Sequence, residues 1–143
     1  MCKQEPLLPD RYQDSNNVLP LLQNILGPAS QGVAAFQDER LVGFLTGWLM
    51  PNFRGRRSVY PEWANAAEVE NCGYIYEEMY QQIAAAWVAD KYLVHFISIF
   101  ADDRTAIRTW HWLGFGMLGV DAVRGLEPIQ GVNKQIEIHR ASV

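Results

Sequence analysis

Apolar and polar positions along this chain fall into two periods, near 3.6 residues in some stretches and 2 in others. Ala106, Trp110 and Leu113 share one helix face in a segment that begins after Asp103 and stops at Leu113-Gly114-Phe115. The Asp103 carboxylate can accept the free N–H groups of the first turn. Gly114 suits the left-handed position that ends a helix, and Phe115 can fold back as its hydrophobic clasp. Residues 74–92 predict the longest helix, with Ile75, Met79, Ile83, Ala86 and Val88 as its buried stripe. Glu77 and Glu78 fall near its start, where the helix dipole favours acids. A shorter helix is expected over 18–26, capped by Asn16 or Asn17 and stopped by Gly27-Pro28.

Between the first two helices the period changes to 2. Val33, Ala35, Val42, Phe44 and Thr46 mark strands over 32–37 and 41–49, joined by the turn Asp38-Glu39-Arg40. These form an antiparallel hairpin. Residues 51–57 read as a Gly- and Arg-rich loop, and 58–60 as a short strand that Pro61 limits. Residues 64–70 fit either a strand or a helix. The run 94–100 is nearly all apolar, as expected of a strand covered on both faces. Strands over 116–123 and 134–139 close the order, separated by a Gly/Pro loop. Helices interleaved with such strands predict an α/β domain, a mixed and mostly antiparallel sheet with helices on both faces. Residues 1–15 read as a tail and 16–143 as one domain.

Composition narrows the function. The chain has 143 residues, 49% of them hydrophobic, enough for one real core. Its net charge of −4 leaves no basic footprint for nucleic acid. Arg54, Arg56 and Arg57 form the one basic cluster, either a solvated loop or a lure for a phosphate-bearing ligand. Cys2 and Cys72 make no disulfide framework, and His95, His111 and His139 are too scattered for zinc. No apolar run is long enough for a membrane span, and no signal-peptide core opens the chain, so a cytoplasmic location is expected.

The order strand, helix, Gly-Phe, strand around Ala106 to Gly116 resembles the C-terminal half of the GNAT superfamily of N-acetyltransferases. That family's signature there runs Asn-x-x-Ala-x-x-Leu-Tyr-x-x-x-Gly-Phe. The strand Leu41-Val42-Gly43-Phe44-Leu45 after a hairpin turn is similar to the family's as well. The resemblance spans residues 16–141 and implies a GNAT fold with acetyl-CoA as cofactor and a small-molecule or peptide amine as acceptor. In that family two splayed parallel strands grip the cofactor's arm, and the central helix receives its pyrophosphate on free N–H groups. The resemblance therefore implies cofactor contacts at Val59, Tyr60, Asn71, Gly73, Tyr74, Asp103 and Trp110. A carboxylate before the central helix often serves as base, which points to Glu62, whose other reading is a solvated loop acid.

Two departures weigh against turnover. The family's phosphate loop reads Gln/Arg-x-x-Gly-x-Gly/Ala, whereas this chain brings Glu68 and Glu70 there and keeps a glycine at Gly73. Each acid would repel a phosphate by about 1 kcal/mol at close range in water. Trp110 stands where the family places an acidic tyrosine, and an indole N–H donates a hydrogen bond but does not ionise. Asp103 replaces the usual Asn, keeping the cap and adding charge. His95 fits either a base or a structural residue, and Ser98 reads as packing because no His–acid pair is spaced to activate it. Trp48, Tyr60, Trp63, Tyr74, Tyr76, Tyr80 and Trp87 are dense enough for a core with a dimer contact, or for an aromatic cleft. Two readings follow: an acetyltransferase, or an inactive GNAT-like binding or dimerisation domain. Acceptor pockets are expected over 51–57 and 125–133, and the edge strand 134–139 makes a homodimer or a fused second GNAT domain the expected partner.

Overall fold

The computed structural model describes residues 9–60, 65–121 and 139. Its first helix, α1 (Ser15–Ile25), starts earlier than the Asn caps predicted, because the Asp14 carboxylate accepts the Asn16 N–H at 2.9 Å. Pro20 lies inside α1 and removes one backbone donor. No residue of α1 is buried, and the helix is tied to the sheet by the Trp48 indole, which donates to the Ile25 carbonyl at 3.0 Å.

Strands β1 (Ser30–Gln37) and β2 (Arg40–Phe53) form the expected hairpin. Its loop is two residues, Asp38 and Glu39, at φ +50° and +63°. Those values match the twist of the flanking strands, which most hairpins achieve with glycine or asparagine. The loop expected over 51–57 is mostly strand. β2 runs on to Phe53, a register shift between Met50 and Phe53 absorbs Pro51, and the turn is Arg54-Gly55 alone. Proline had disguised a bulged strand as a loop. β3 (Arg56–Tyr60) then returns along β2, and β4 (Asn65–Ala67) pairs with β2 further on.

Helix α2 (Cys72–Ala89) lies across the sheet. Its buried stripe is Cys72, Ile75, Tyr76, Met79, Ile83 and Trp87. The expected inward pair Ala86 and Val88 is exposed, because Trp87 between them takes the core position. The phase follows the steps of four from Ile75 to Trp87, one residue off the sequence reading. Glu77 and Glu78 lie beyond the first turn, so the dipole does little for them. Gly43 lets α2 approach, since a Cβ there would stand 2.6 Å from Ile75 Cγ2, and Gly47 leaves room for Val59 of β3 and Trp87 of α2, which a Cβ would meet at 2.2 Å and 3.3 Å.

β5 is only Val94–His95, parallel to β3, against the seven-residue strand expected over 94–100. The sheet order is β1-β2-β3-β5, with β4 also on β2 and every pairing but β3–β5 antiparallel. Helix α3 (Arg104–Trp112) follows the sequence reading closely. Asp103 accepts the Ala106 N–H at 2.9 Å, and Ala106 and Trp110 are buried. Gly114 ends it at φ +92°, with Phe115 N–H donating to the Trp110 carbonyl and Gly114 N–H to the His111 carbonyl, both at 3.0 Å. The Phe115 and Trp110 rings then meet at 5.1 Å, which is the hydrophobic contact that accompanies this stop. Residues 116–121 carry no strand assignment; the rest of the two closing strands and the loop 125–133 lie outside the described residues, apart from His139.

Candidate active site

The sheet comes apart at one place. β3 and β5 pair through Ser58–Val94 and Val59–His95, the Phe96 N–H donates to the Val59 carbonyl at 2.9 Å, and regular pairing stops there. On the β2 side, Trp48 pairs with Tyr60 and Leu45 with Asn65. Two residues of β2 separate those pairs, whereas four positions of the chain separate Tyr60 from Asn65, so the two pairings are out of register. Across the gap the Asn65 side chain donates from Nδ2 to the Ser98 carbonyl at 2.8 Å. Asn65 is buried, so one amide side chain bridges a span that backbone pairing no longer closes. A parted pair of parallel strands leaves backbone donors and acceptors free for an extended ligand.

The α2 side of the gap is filled. Tyr80, Trp87, Trp110 and Phe115 line a void there with no room for a water molecule. The Tyr80 ring lies 5.5 Å from Trp110 and 5.2 Å from Phe115, both edge-on. Tyr80 also meets His95, its hydroxyl 2.8 Å from Nδ1, while Nε2 lies 3.0 Å from the Tyr92 carbonyl. A carbonyl only accepts, so Nε2 carries the proton and Nδ1 accepts from the Tyr80 hydroxyl. Burial pushes the His95 pKa down, against a smaller upward pull from the Tyr92 carbonyl, and burial pushes Tyr80 up. Both groups are thus held neutral.

The implied cofactor contacts fall in two places. Asn71, Gly73 and Tyr74 stand at the start of α2, and Asp103 is close enough to Cys72 to help burial raise its thiol pKa. Asn71 precedes the helix without a side-chain cap, and a 3-10 turn over Val69–Asn71 leads directly into it. Gly73 backs onto α3, since a Cβ there would stand 3.0 Å from Thr109 Oγ1. Val59 and Tyr60 end β3 at the gap. The Val59 side chain is wholly buried, which leaves its backbone as the part a ligand could meet. Trp110 is 1% exposed, packed against Tyr76 at 5.4 Å, and its indole N–H has no partner among the described residues. Glu62 lies outside the described residues.

One electrostatic expectation changes. Glu68 forms a bidentate pair with Arg40, which lowers the Glu68 pKa chiefly through the hydrogen bonds and matches its charge. Glu70 has no ion pair among the described residues, though its charge also acts on Arg40, and the Asp103 carboxylate stands near Cys72 at the start of α2 as well. Nothing in the sequence pairs positions 28 apart; β2 and the segment after β4 bring them together. Asn65 and Tyr80 were also missed as site residues, because a polar residue in a three-residue strand and a tyrosine on a helix stripe look like packing. Among the described residues no group of His, Cys, Asp and Glu could hold a metal ion, and no helix is long and apolar enough to cross a membrane.

No protein-family model matches the sequence, and no curated protein matches it as a relative. Solved structures do. An aminoglycoside acetyltransferase from an uncultured soil metagenomic sample superposes with a TM-score of 0.58 at 16% identity, over 76% of this chain and 74% of its own. AAC(6')-Iy, in complex with the bisubstrate analogue CoA-S-monomethyl-acetylneamine, gives 0.58 at 11% identity over 87% and 85%. A ribosomal-protein-alanine N-acetyltransferase from Brucella melitensis biovar Abortus gives 0.53 at 15% identity over 80% and 93%. The chain has the GNAT fold that these structures share.

Proposed function

We propose that this protein is an acetyl-CoA-dependent N-acetyltransferase acting on a small-molecule or peptide amine. The observation that carries the reading is the parting of β3 and β5 at Val59 and Phe96, in a fold whose structural neighbours include a complex with a CoA-linked bisubstrate analogue. The residues present fit the cofactor: a place where the β3–β5 pairing ends, a helix start without a side-chain cap, and an Arg40–Glu68 pair that reduces the repulsion expected there. Acetyl-CoA would supply an acetyl thioester, whose C–S bond breaks as a C–N bond forms, with one proton leaving the amine and one returning to the thiol.

In this reading the backbone at Val59 and Tyr60 orients the acyl arm, and Asn71, Gly73 and Tyr74 present N–H groups to the pyrophosphate. Asp103 would border it from α3. Glu62 would take the proton from the amine. Trp110, buried against Tyr76 and Phe115, neither reaches the thioester nor ionises, so the leaving thiolate would draw its proton from water.

Thermal shift with acetyl-CoA tests the binding. A specific site gains about 2.7 kcal/mol when ligand stands at 100 times its dissociation constant, and ADP should give less. No shift at millimolar acetyl-CoA would sink the proposal. Glu62→Gln should then abolish turnover while keeping the shift. A second reading, an inactive GNAT-like binding or dimerisation domain, draws on the waterless void and the non-ionising Trp110. It predicts a shift without turnover for any amine.

A further inference from the structure

The face of the sheet turned away from α2 carries its own chemistry. Because Tyr80, Trp87, Trp110 and Phe115 help line a void on the α2 side without space for water, a second substrate would have to reach the gap from the opposite face. Tyr60 is paired with Trp48, whose indole turns to α1, and so it points to that face. Phe96 follows the last paired residue of β5 and also borders the void on the α2 side, while its ring meets Phe53 and Tyr60. Phe53, Tyr60 and Phe96 form a half-buried platform: Phe53 and Phe96 meet edge-to-face at 5.2 Å and 89°, and Tyr60 meets Phe96 at 6.0 Å and 65°. Tyr60 and Phe96 are the last residues on either side before the strands part.

The rim of this platform is cationic. The tight turn at Arg54-Gly55 sets the Arg54 guanidinium 5.5 Å from the centre of the Phe53 ring. Arg56 is paired with Phe53 and shares a face with Ser58 and Tyr60 by alternation. Neither Arg54 nor Arg56 has an ion-pair partner among the described residues, where the one such pair is Arg40–Glu68. Arg57 is committed elsewhere, donating to the Asp90 carbonyl at 3.1 Å and lying over Tyr92 at 4.3 Å. In a chain of net charge −4, two guanidiniums without an ion-pair partner among the described residues, beside half-buried rings, suit an anion attached to something flat.

We propose that this platform seats the acceptor, and that the acceptor is an amine with an aromatic or flat apolar body and a carboxylate or phosphate at its far end. The rings of Phe53, Tyr60 and Phe96 take the body, Arg54 and Arg56 take the anion, and the amine is left at the gap. The same arginines repel a polycationic amine. The inference rests on the acetyltransferase reading for the fate of the amine but not for its binding.

The probe is 4-(aminomethyl)benzoate, which puts amine and carboxylate at opposite ends of a ring, with benzylamine and spermidine as comparisons. Saturation-transfer NMR without acetyl-CoA should show 4-(aminomethyl)benzoate bound and spermidine not. With acetyl-CoA, thiol release should favour 4-(aminomethyl)benzoate over benzylamine, and spermidine should be poorest. The double variant Arg54→Gln, Arg56→Gln, on an exposed turn, should lower affinity for the carboxylate probe by about tenfold, the loss of one charge-assisted contact. It should leave benzylamine unchanged. Spermidine binding best, or the variant affecting both aromatic amines equally, overturns the inference. Probe binding without any acetyl-CoA shift overturns the enzyme reading and leaves the platform standing. An acetyl-CoA shift with no probe bound does the reverse.

Discussion

Asn65→Ala is the perturbation that reads the strand gap most directly. Asn65 is 7% exposed and its Nδ2 donates to the Ser98 carbonyl at 2.8 Å, joining two segments that share no backbone pairing. Alanine removes a hydrogen bond of about 1 kcal/mol and strands a carbonyl whose desolvation costs a further 1–2 kcal/mol. The sum is about 2–3 kcal/mol. In a domain of this length each kcal/mol moves the midpoint by about 4 °C, so thermal melting by circular dichroism should fall by about 8–12 °C. Asn65→Asp gives the internal control. Its carboxylate would face a carbonyl, so its folded-state pKa rises above the unfolded value near 3.9. A raised pKa contributes stability that is present below the unfolded value and is lost as pH rises through the folded one. The Asp variant should therefore be the less stable of the two at pH 7 and approach or pass the Ala variant toward pH 4, where a protonated carboxyl can donate to Ser98. An Ala variant melting within 2 °C of wild type would refute the bridging role, as would an Asp–Ala difference that ignores pH.

Other outcomes follow from the same geometry. His95 has a folded pKa lowered from its usual 6.5, so its contribution is present above that value and is lost as pH falls through the folded value. Melting points measured from pH 8 to 5 should drop below about pH 6.5 in wild type, and His95→Gln should flatten that slope; parallel slopes would exclude it. The lowered pKa of Glu68 acts in a separate window, below its usual 4.5, and Arg40→Ala should remove that part of the acid profile alone. Gly47→Ala should cost about 1–3 kcal/mol by overpacking, because the new Cβ would stand 2.2 Å from Val59 Cγ1 and 3.3 Å from Trp87. Denaturant melts followed through tryptophan fluorescence would show it, and an unchanged midpoint would mean that the sheet and α2 separate at no cost. Asp103→Ala should lose about 1 kcal/mol from the missing cap on α3, measured in the same way, and no loss would remove the cap from the account.

Where local chemistry decides, the sequence was a good guide. Asp103, Ala106, Gly114 and Phe115 act within one helix and its stop, so their roles are written in spacing alone. The β1–β2 hairpin is likewise local, though Asp38 and Glu39 take left-handed conformations that their identities do not advertise. The reading failed where a residue's fate depends on distant partners. Pro51 looked like a loop because tolerance for a bulge is granted by β3. Val88 looked buried because hydrophobicity does not say which of Ala86, Trp87 and Val88 the sheet will receive, and the largest ring won the space.

The site shows the same division. The sequence by itself determined the helices, the hairpin and the family likeness, because helix caps, stops and strand periods rest on interactions between near neighbours. Only the tertiary structure decided that the run 94–100 pairs for two residues and then parts, that Asn65 spans the opening, and that Arg40 matches Glu68. It also brought the Phe53, Tyr60 and Phe96 rings together beside Arg54 and Arg56, which have no ion-pair partner among the described residues. Those facts depend on register between strands, and register is set by the sum of contacts over a whole sheet rather than by any segment within it.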